Sequence, residues 1–305
     1  MYDTGGEAGN ARAPRALGGT LRDMKRYLAA VLSVALLTGG TGAGATSVAG
    51  TAQRHASITP YPIGTVASGE PSGLAPPRGG LAGYQETYAT DFPGTSLPAG
   101  WDAYTGQPGG DPGAQFAASH LNVANGMLTL TSSRDPQWGN NWVTGGVCDC
   151  GQVVTYGAWF VRSRVNGAGP ASVELLWPAN NSWPPEIDFN ETNGSLNSST
   201  ATVHFGAANS TIQRRISVNM AVWHTWGVVW SPRSITYILD GRAWATVRRG
   251  VPTVPMRLSL QQQTQCSSGW ACPTVTTTMQ VAWVAQYAPL RRNPISQPGT
   301  RRASA

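Results

Sequence analysis

The sequence predicts an all-β fold, a two-sheet sandwich or a barrel, and three observations carry that expectation. No sustained 3.6-residue apolar period occurs between positions 84 and 289. Short alternating or β-branched runs recur there instead, separated by Gly, Pro, Asn and Ser. Asp240-Gly241 stands between two such runs, a pair that closes tight hairpins because both turn positions require positive φ.

In chain order the runs cover 127–131, 156–165, 172–177, 201–205, 225–230, 235–239, 256–263 and 275–287. Each is rich in Val, Ile, Thr, Trp or Tyr, or alternates polar with apolar residues, as a half-buried strand requires. Many short strands without helices suit sandwiches and barrels.

The flanks read differently. Met24-Lys25-Arg26, an apolar run at 27–37 and Ala43-Gly44-Ala45 have the layout of a secretory signal peptide over 24–45. The apolar run is too short to span a bilayer. Residues 1–23 are then an over-extended start. Residues 46–82, rich in Gly, Pro, Ala, Ser and Thr, are expected to be a flexible linker to a folded unit at 83–289. Residues 290–305 form a basic tail. The expected protein is secreted, without stable membrane insertion.

With 41% apolar and 12% charged residues, the chain can build a core. Its net charge of +6 comes with no basic helix and no basic-aromatic stripe, which argues against nucleic acid as a partner. Cys148, Cys150, Cys266 and Cys272 fit disulfides in an oxidising compartment better than a zinc site. Three connectivities are possible, and a bridge within Cys148-x-Cys150 would be strained.

The chemistry concentrates in "WPPEIDFNET", where Glu186, Asp188 and Glu191 fall within six positions of a chain with only 15 acidic residues. On a strand, Glu186 and Asp188 project to one face, and Ile187 and Phe189 to the other. Strict alternation would send Glu191 into the core, where an unpaired carboxylate costs several kcal/mol. A β-bulge near Asn190 returns it to the acidic face. Crowded carboxyls cannot all ionise cheaply, so at least one pKa must rise. A neutral acid beside an ionised one is what glycoside hydrolysis requires, and leaning side chains can bring the two glutamates to about 5–5.5 Å.

The stretch resembles the E-[IL]-D-x-x-E signature of glycoside hydrolase family 16, in the bulged form of its laminarinase-like members. The likeness continues in order through "FPGTSLPAGWDAYTG", "NGMLTLTS", "YGAWFVRSRV", "ELLWPANNSWPPEIDFNE", "VHFG", "WHTWGVVWSPRSITYILDG", "PMRLSLQQQ" and "MQVAWVAQYAP". The resemblance implies a jelly-roll β-sandwich of two antiparallel sheets with a concave substrate cleft. It implies Glu186 as nucleophile, Glu191 as general acid/base and Asp188 as a hydrogen-bonding support. Trp177 and Trp183 match tryptophans bordering the cleft, and His204 matches a histidine on the neighbouring strand. His224 matches a structural position. Trp142, with Trp138, has no motif behind it but can form an outer subsite. Gln261 and Gln263 share one strand face and can reach sugar hydroxyls.

Three positions depart from the family pattern. Asn190 occupies the bulge where many relatives carry an apolar residue. Phe160 stands where relatives often have Glu. Ala282 stands where many have an Asp that ligates a structural calcium.

The expected activity is that of a retaining endo-β-glycanase on β-1,3- or mixed β-1,3/1,4-glucan. A galactan hydrolase or a transglycosylase would use the same scaffold. A carbohydrate-binding module without turnover is the alternative from outside the enzymes, but binding alone does not need three acids. The expected partner is a polysaccharide and the expected state a monomer. No cofactor and no metal are called for.

Overall fold

The structure is a computed structural model and describes residues 60–107, 114–266, 269 and 271–290. The expected signal peptide, the first part of the expected linker and nearly all of the basic tail lie outside the described residues. Along the chain run β1 (Thr65–Val66), β2 (Leu74–Ala75), β3 (Tyr84–Thr90), β4 (Trp101–Ala103), β5 (Gln115–Phe116), β6 (Leu121–Val123), β7 (Leu128–Asp135), β8 (Asn141–Thr144), β9 (Gly146–Asp149) and β10 (Gly157–Asn166). There follow β11 (Ala171–Pro178), β12 (Glu186–Glu191), β13 (Ser198–Phe205), β14 (Ser210–Ser217), β15 (His224–Ser231), β16 (Ser234–Leu239), β17 (Arg242–Val247), β18 (Met256–Gln263) and β19 (Thr277–Pro289). All eight predicted runs fall on strands of this series.

Two large sheets result, making the jelly-roll sandwich rather than a barrel. One runs β14-β13-β12-β11-β18-β9-β4. The other runs β17-β16-β15-β10-β19-β7-β8-β5, with β3 added beside β19 and β6 beside β7. Only β5 and β8 pair in parallel among the described strands. The predicted hairpin joins β16 to β17: Leu239 faces Arg242, and Asp240 and Gly241 take φ of 46° and 78°.

Alternation builds the core. Trp159 and Val161 of β10, with Trp226, Val228 and Trp230 of β15, point inward from the larger sheet. They meet Leu176, Ile187, Phe189, Ala201, Val203, Leu258 and Leu260 of the smaller one. Burying each such aliphatic or aromatic side chain is worth roughly 1.5–3 kcal/mol, which fixes the register of both sheets. The remaining face of the smaller sheet is left to carry polar residues.

The stretch expected to be a linker is structured from Pro60 onward. β1 and β2 form a two-stranded ribbon. Leu81 is buried in an apolar cluster with Ala158, Phe160, Ala282, Trp283 and Tyr287 on the outer face of the larger sheet, and Tyr61 packs against it. Thr225 donates its hydroxyl to the Ile63 carbonyl at 2.9 Å, and a Cβ on Gly64 would stand 3.1 Å from the Trp283 ring. The composition misled because turn-forming residues serve a packed ribbon as readily as a tether. Among the described residues, no helix is long and apolar enough to cross a membrane.

Each disulfide closes locally, Cys148 with Cys150 and Cys266 with Cys272. The second closes the segment that brings Ala271 onto Ala171, Val173 and Leu175, over part of the open face of the smaller sheet.

Candidate active site

β12 alternates as its sequence dictates, then breaks step. Ile187 and Phe189 are fully buried in the inter-sheet core, while Glu186 and Asp188 lie on the opposite face. On one side Asp188 pairs with Leu175, and the register slips before Asn190 meets Glu174. On the other, Asp188 pairs with Thr202 and Glu191 with Thr200. Phe189 and Asn190 therefore stand together opposite Ala201. This is the bulge, and it turns Glu191 back to the face of Glu186 and Asp188.

Hydrogen bonds fix the bulge. Ser199 donates its hydroxyl to Asn190 Oδ1 at 2.6 Å and accepts the Glu191 N–H at 3.1 Å. Glu191 Oε2 lies 3.2 Å from Thr200 Oγ1, which accepts from Asn193 Nδ2 at 2.8 Å.

Trp183 Nε1 donates to Glu186 Oε2 at 2.7 Å, although the indole is 44% exposed. Its ring lies 5.8 Å from that of His204. His204 approaches Asp188 Oδ2 through Nε2 at 3.4 Å and meets Asn209 Oδ1 through Nδ1 at 2.9 Å. An amide oxygen only accepts, so Nδ1 carries the proton when this pair is a hydrogen bond. Nε2 is then left facing the carboxyl.

Burial raises all three acids. Asp188 stands well above the usual carboxylate range, first through desolvation and then through the Glu191 charge, with a hydrogen bond from Glu186 opposing. Glu186 is also raised well above its ordinary value by desolvation and by Asp188, while His204 and Trp183 favour its ionised form. Desolvation raises Glu191, against Thr200, His204 and Asn193. Glu186 feels the charges of both Asp188 and Glu191, and Asp188 that of Glu191, so the three cannot all ionise cheaply. The arrangement can thus present an ionised carboxylate and a carboxylic acid to the same bond.

The other expected residues are distributed unevenly. Trp177 shares the open face and donates Nε1 to Asn181 Oδ1 at 3.2 Å. Gln261 and Gln263 are also on that face and bond each other at 3.2 Å. Gln261 pairs with Val173, itself paired with Glu191. Trp142 belongs to β8 of the other sheet, where it is buried under the Arg134 guanidinium, 4.9 Å from its ring centroid. None of its described contacts reaches the acids. Trp138 is exposed in a single 3-10 turn just before β8.

Two neighbours escaped sequence reasoning. Tyr104, just after β4, donates its hydroxyl to Ser259 at 2.6 Å, and the charges of Glu186 and Arg257 both act on it. Arg257 ties the loop before β12 by donating to Ala179 O at 2.9 Å and Asn181 Oδ1 at 2.6 Å. Neither has a local motif; only the strand order brings them here. The ligand atoms of Glu186, Asp188 and His204 also lie within 4.8 Å of one another, a donor set that a cation could use.

The two largely antiparallel sheets, with acids on the open face of one, define a jelly-roll sandwich. Solved structures share that fold. The catalytic domain of an endo-1,3-beta-glucanase (laminarinase) from Thermotoga petrophila has a TM-score of 0.60 and 16% identity, over 68% of this chain and 99% of that one. The endo-beta-1,3-glucanase from Pyrococcus furiosus has a TM-score of 0.59 and 18% identity, over 68% and 95%. The chain belongs to glycosyl hydrolases family 16, whose sequence model matches residues 112–285. Among curated relatives, the endo-1,3-1,4-beta-glycanase ExsH of Rhizobium meliloti is 31% identical over 139 residues, 41% of this chain. EglC of the same organism, also named an endo-1,3-1,4-beta-glycanase, is 29% identical over 143 residues, 42% of this chain. Each match spans 30% of the relative's own length.

Proposed function

We propose that the chain is a secreted, monomeric endo-hydrolase of β-1,3- or mixed β-1,3/1,4-glucan that works with retention of configuration. The observation that carries this reading is the bulge, because it sets Glu191 on the face of Glu186 and Asp188. The names of the curated relatives support the substrate class, and the leader-like segment at 24–45 supports secretion.

Glu186 is the nucleophile. Its carboxylate attacks the anomeric carbon while Glu191 delivers a proton to the departing glycosidic oxygen. A glycosyl ester on Glu186 results. Glu191, now ionised, takes a proton from water, whose oxygen displaces Glu186 and completes a second inversion. Asp188 shares hydrogen-bonded protons with Glu186 and tunes its ionisation. Trp183 holds Glu186 Oε2 and offers an exposed indole face to a sugar ring. Trp177, His204, Gln261 and Gln263 line the approach.

The test is reducing-sugar release from laminarin, lichenan, xylan, xyloglucan and agarose, with NMR of the first product. Release from laminarin or lichenan as the β-anomer is expected, and Glu186→Gln should abolish it with the fold intact. An initial α-anomer, or normal turnover by Glu186→Gln, would discard the mechanism. Release from agarose alone would move the substrate to the galactans.

A further inference from the structure

Behind the bulge, the apolar core gives way to a polar group of side chains. Ser163, Glu174, Asn190 and Ser199 are all at most 1% exposed. Glu174 has no part in the chemistry above, yet it is a carboxyl buried between the sheets. Its Oε1 accepts from Ser163 Oγ on β10 of the opposite sheet. Asn190 is its cross-strand partner. Glu174 Oε2 and Asn190 Nδ2 are buried without a hydrogen bond of standard geometry, but their residues face each other as acceptor and donor, and Asn190 acts on the Glu174 carboxyl as a hydrogen-bonding neighbour. Asn190 Oδ1 accepts from Ser199, whose oxygen accepts the Glu191 N–H. One row of polar side chains thus runs from the opposite sheet, through the bulge, to the backbone of Glu191.

A bulge is a weak point in register, because its extra residue is unpaired and can in principle move along the strand. A shift of one residue would drive the Glu191 carboxyl into the core. An asparagine side chain in an apolar core prevents that shift, since a buried amide without partners costs about 1–3 kcal/mol. Only one register gives Asn190 both Glu174 and Ser199. Burial pushes the Glu174 carboxyl up to about 8, so it is neutral at pH 7 and pairs with an amide without placing a charge in the core.

We infer that Glu174 is a positioning residue: through Asn190 and Ser199 it locks the bulge in the register that aims Glu191 into the cleft. The inference rests on the reading of Glu191 as general acid/base. It calls for a readout specific to that residue. Proton donation matters for a glucan and not for an aryl β-glycoside whose phenol leaves unaided. The measured quantity is kcat/KM on each, which reports the first bond cleavage.

Glu174→Gln, neutral and of the same shape, should stay within a few-fold of the parent on both. Glu174→Leu and Ser199→Ala should lose about 10- to 100-fold on glucan, the scale of a displacement near 1 Å. Both should change little on the aryl substrate, with KM for glucan nearly constant. Equal losses on both substrates, or unchanged glucan activity in folded Glu174→Leu, would overturn the inference. If Glu174→Leu does not fold, Ser199→Ala decides by the same ratio. Glu191→Ala is the separate control: if it fails to discriminate between the two substrates, the acid/base reading falls, whatever Glu174 does.

Discussion

Trp183 donates Nε1 to Oε2 of Glu186, the proposed nucleophile, at 2.7 Å. A bond to a charged acceptor is worth about 1.5–3 kcal/mol, so Trp183→Phe should lower kcat by about 10- to 100-fold and leave KM nearly unchanged. Trp183→Ala should lower kcat similarly and also raise KM, because the stacking face goes too. Steady-state kinetics on one soluble glucan separates the two. Buried acids also set the pH dependence of stability. Desolvation raises Asp149 to about 7 and Glu174 to about 8. The folded chain therefore binds protons more tightly than the unfolded chain. Stability from these groups is complete below the unfolded carboxylate pKa and is lost as pH rises through about 7 and 8. At roughly 1.4 kcal/mol per pKa unit, each contributes on the order of a few kcal/mol. The melting temperature should be higher at pH 5 than at pH 9. Asp149→Asn and Glu174→Gln should each flatten that difference, which scanning calorimetry across pH would reveal.

At the scale of the element, β12 obeys parity, and parity together with register makes opposite predictions for removing and adding one residue. Removing Asn190 leaves E-I-D-F-E, in which plain alternation puts all three acids on one face. That variant should fold and keep measurable turnover, because the last glutamate stays opposite Thr200, weakened by loss of the twist that the bulge gives the strand. Pairing the deletion with Glu174→Leu should recover stability, since the buried carboxyl then has no partner to miss. Inserting one alanine after Asn190 should instead carry the glutamate two positions further, opposite Ser198 and about 6.6 Å along the strand, and turn Asn190 out of the core, so activity should be lost. Reducing-sugar assays with thermal melts test both. A deletion as inactive as the insertion would show that face and register alone do not place the acid.

At the scale of the whole molecule, the segment from Pro60 to Leu81 covers the apolar outer face of the larger sheet. Phe160 and Ala282, the two departures from the polar family pattern, both lie in that covered cluster. A chain begun at residue 83 would expose parts of Trp283, Phe160 and Tyr287. It should melt several degrees lower than one begun at residue 60 and bind more apolar dye, with catalysis on the distant open face little changed at low temperature. Equal melting temperatures would mean that the cover contributes nothing. With apolar side chains at 160 and 282, a chelator is expected to leave the melting temperature unchanged. A fall on chelation, reversed by calcium, would reveal ligands elsewhere.

The sequence by itself determined whatever depends on neighbours within a few residues. Period-two runs became strands because one side of each had to be buried. Asp240-Gly241 became a hairpin because both residues accept positive φ. The bulge was legible because the alternative placed a carboxylate beside Phe189 in the core. The tertiary structure decided what depends on residues far apart in the chain. It brought Tyr104 and Arg257 to the acids through the strand order, and it set Trp142 in the other sheet beneath Arg134. It paired the cysteines locally and turned an expected tether into a packed cover. It also gave Glu174 its partners from β10 and β12, which no pattern around position 174 announces. Local pattern fixes which face a side chain takes, but the neighbour waiting there is set by how two sheets stack, and that is a property of the whole core.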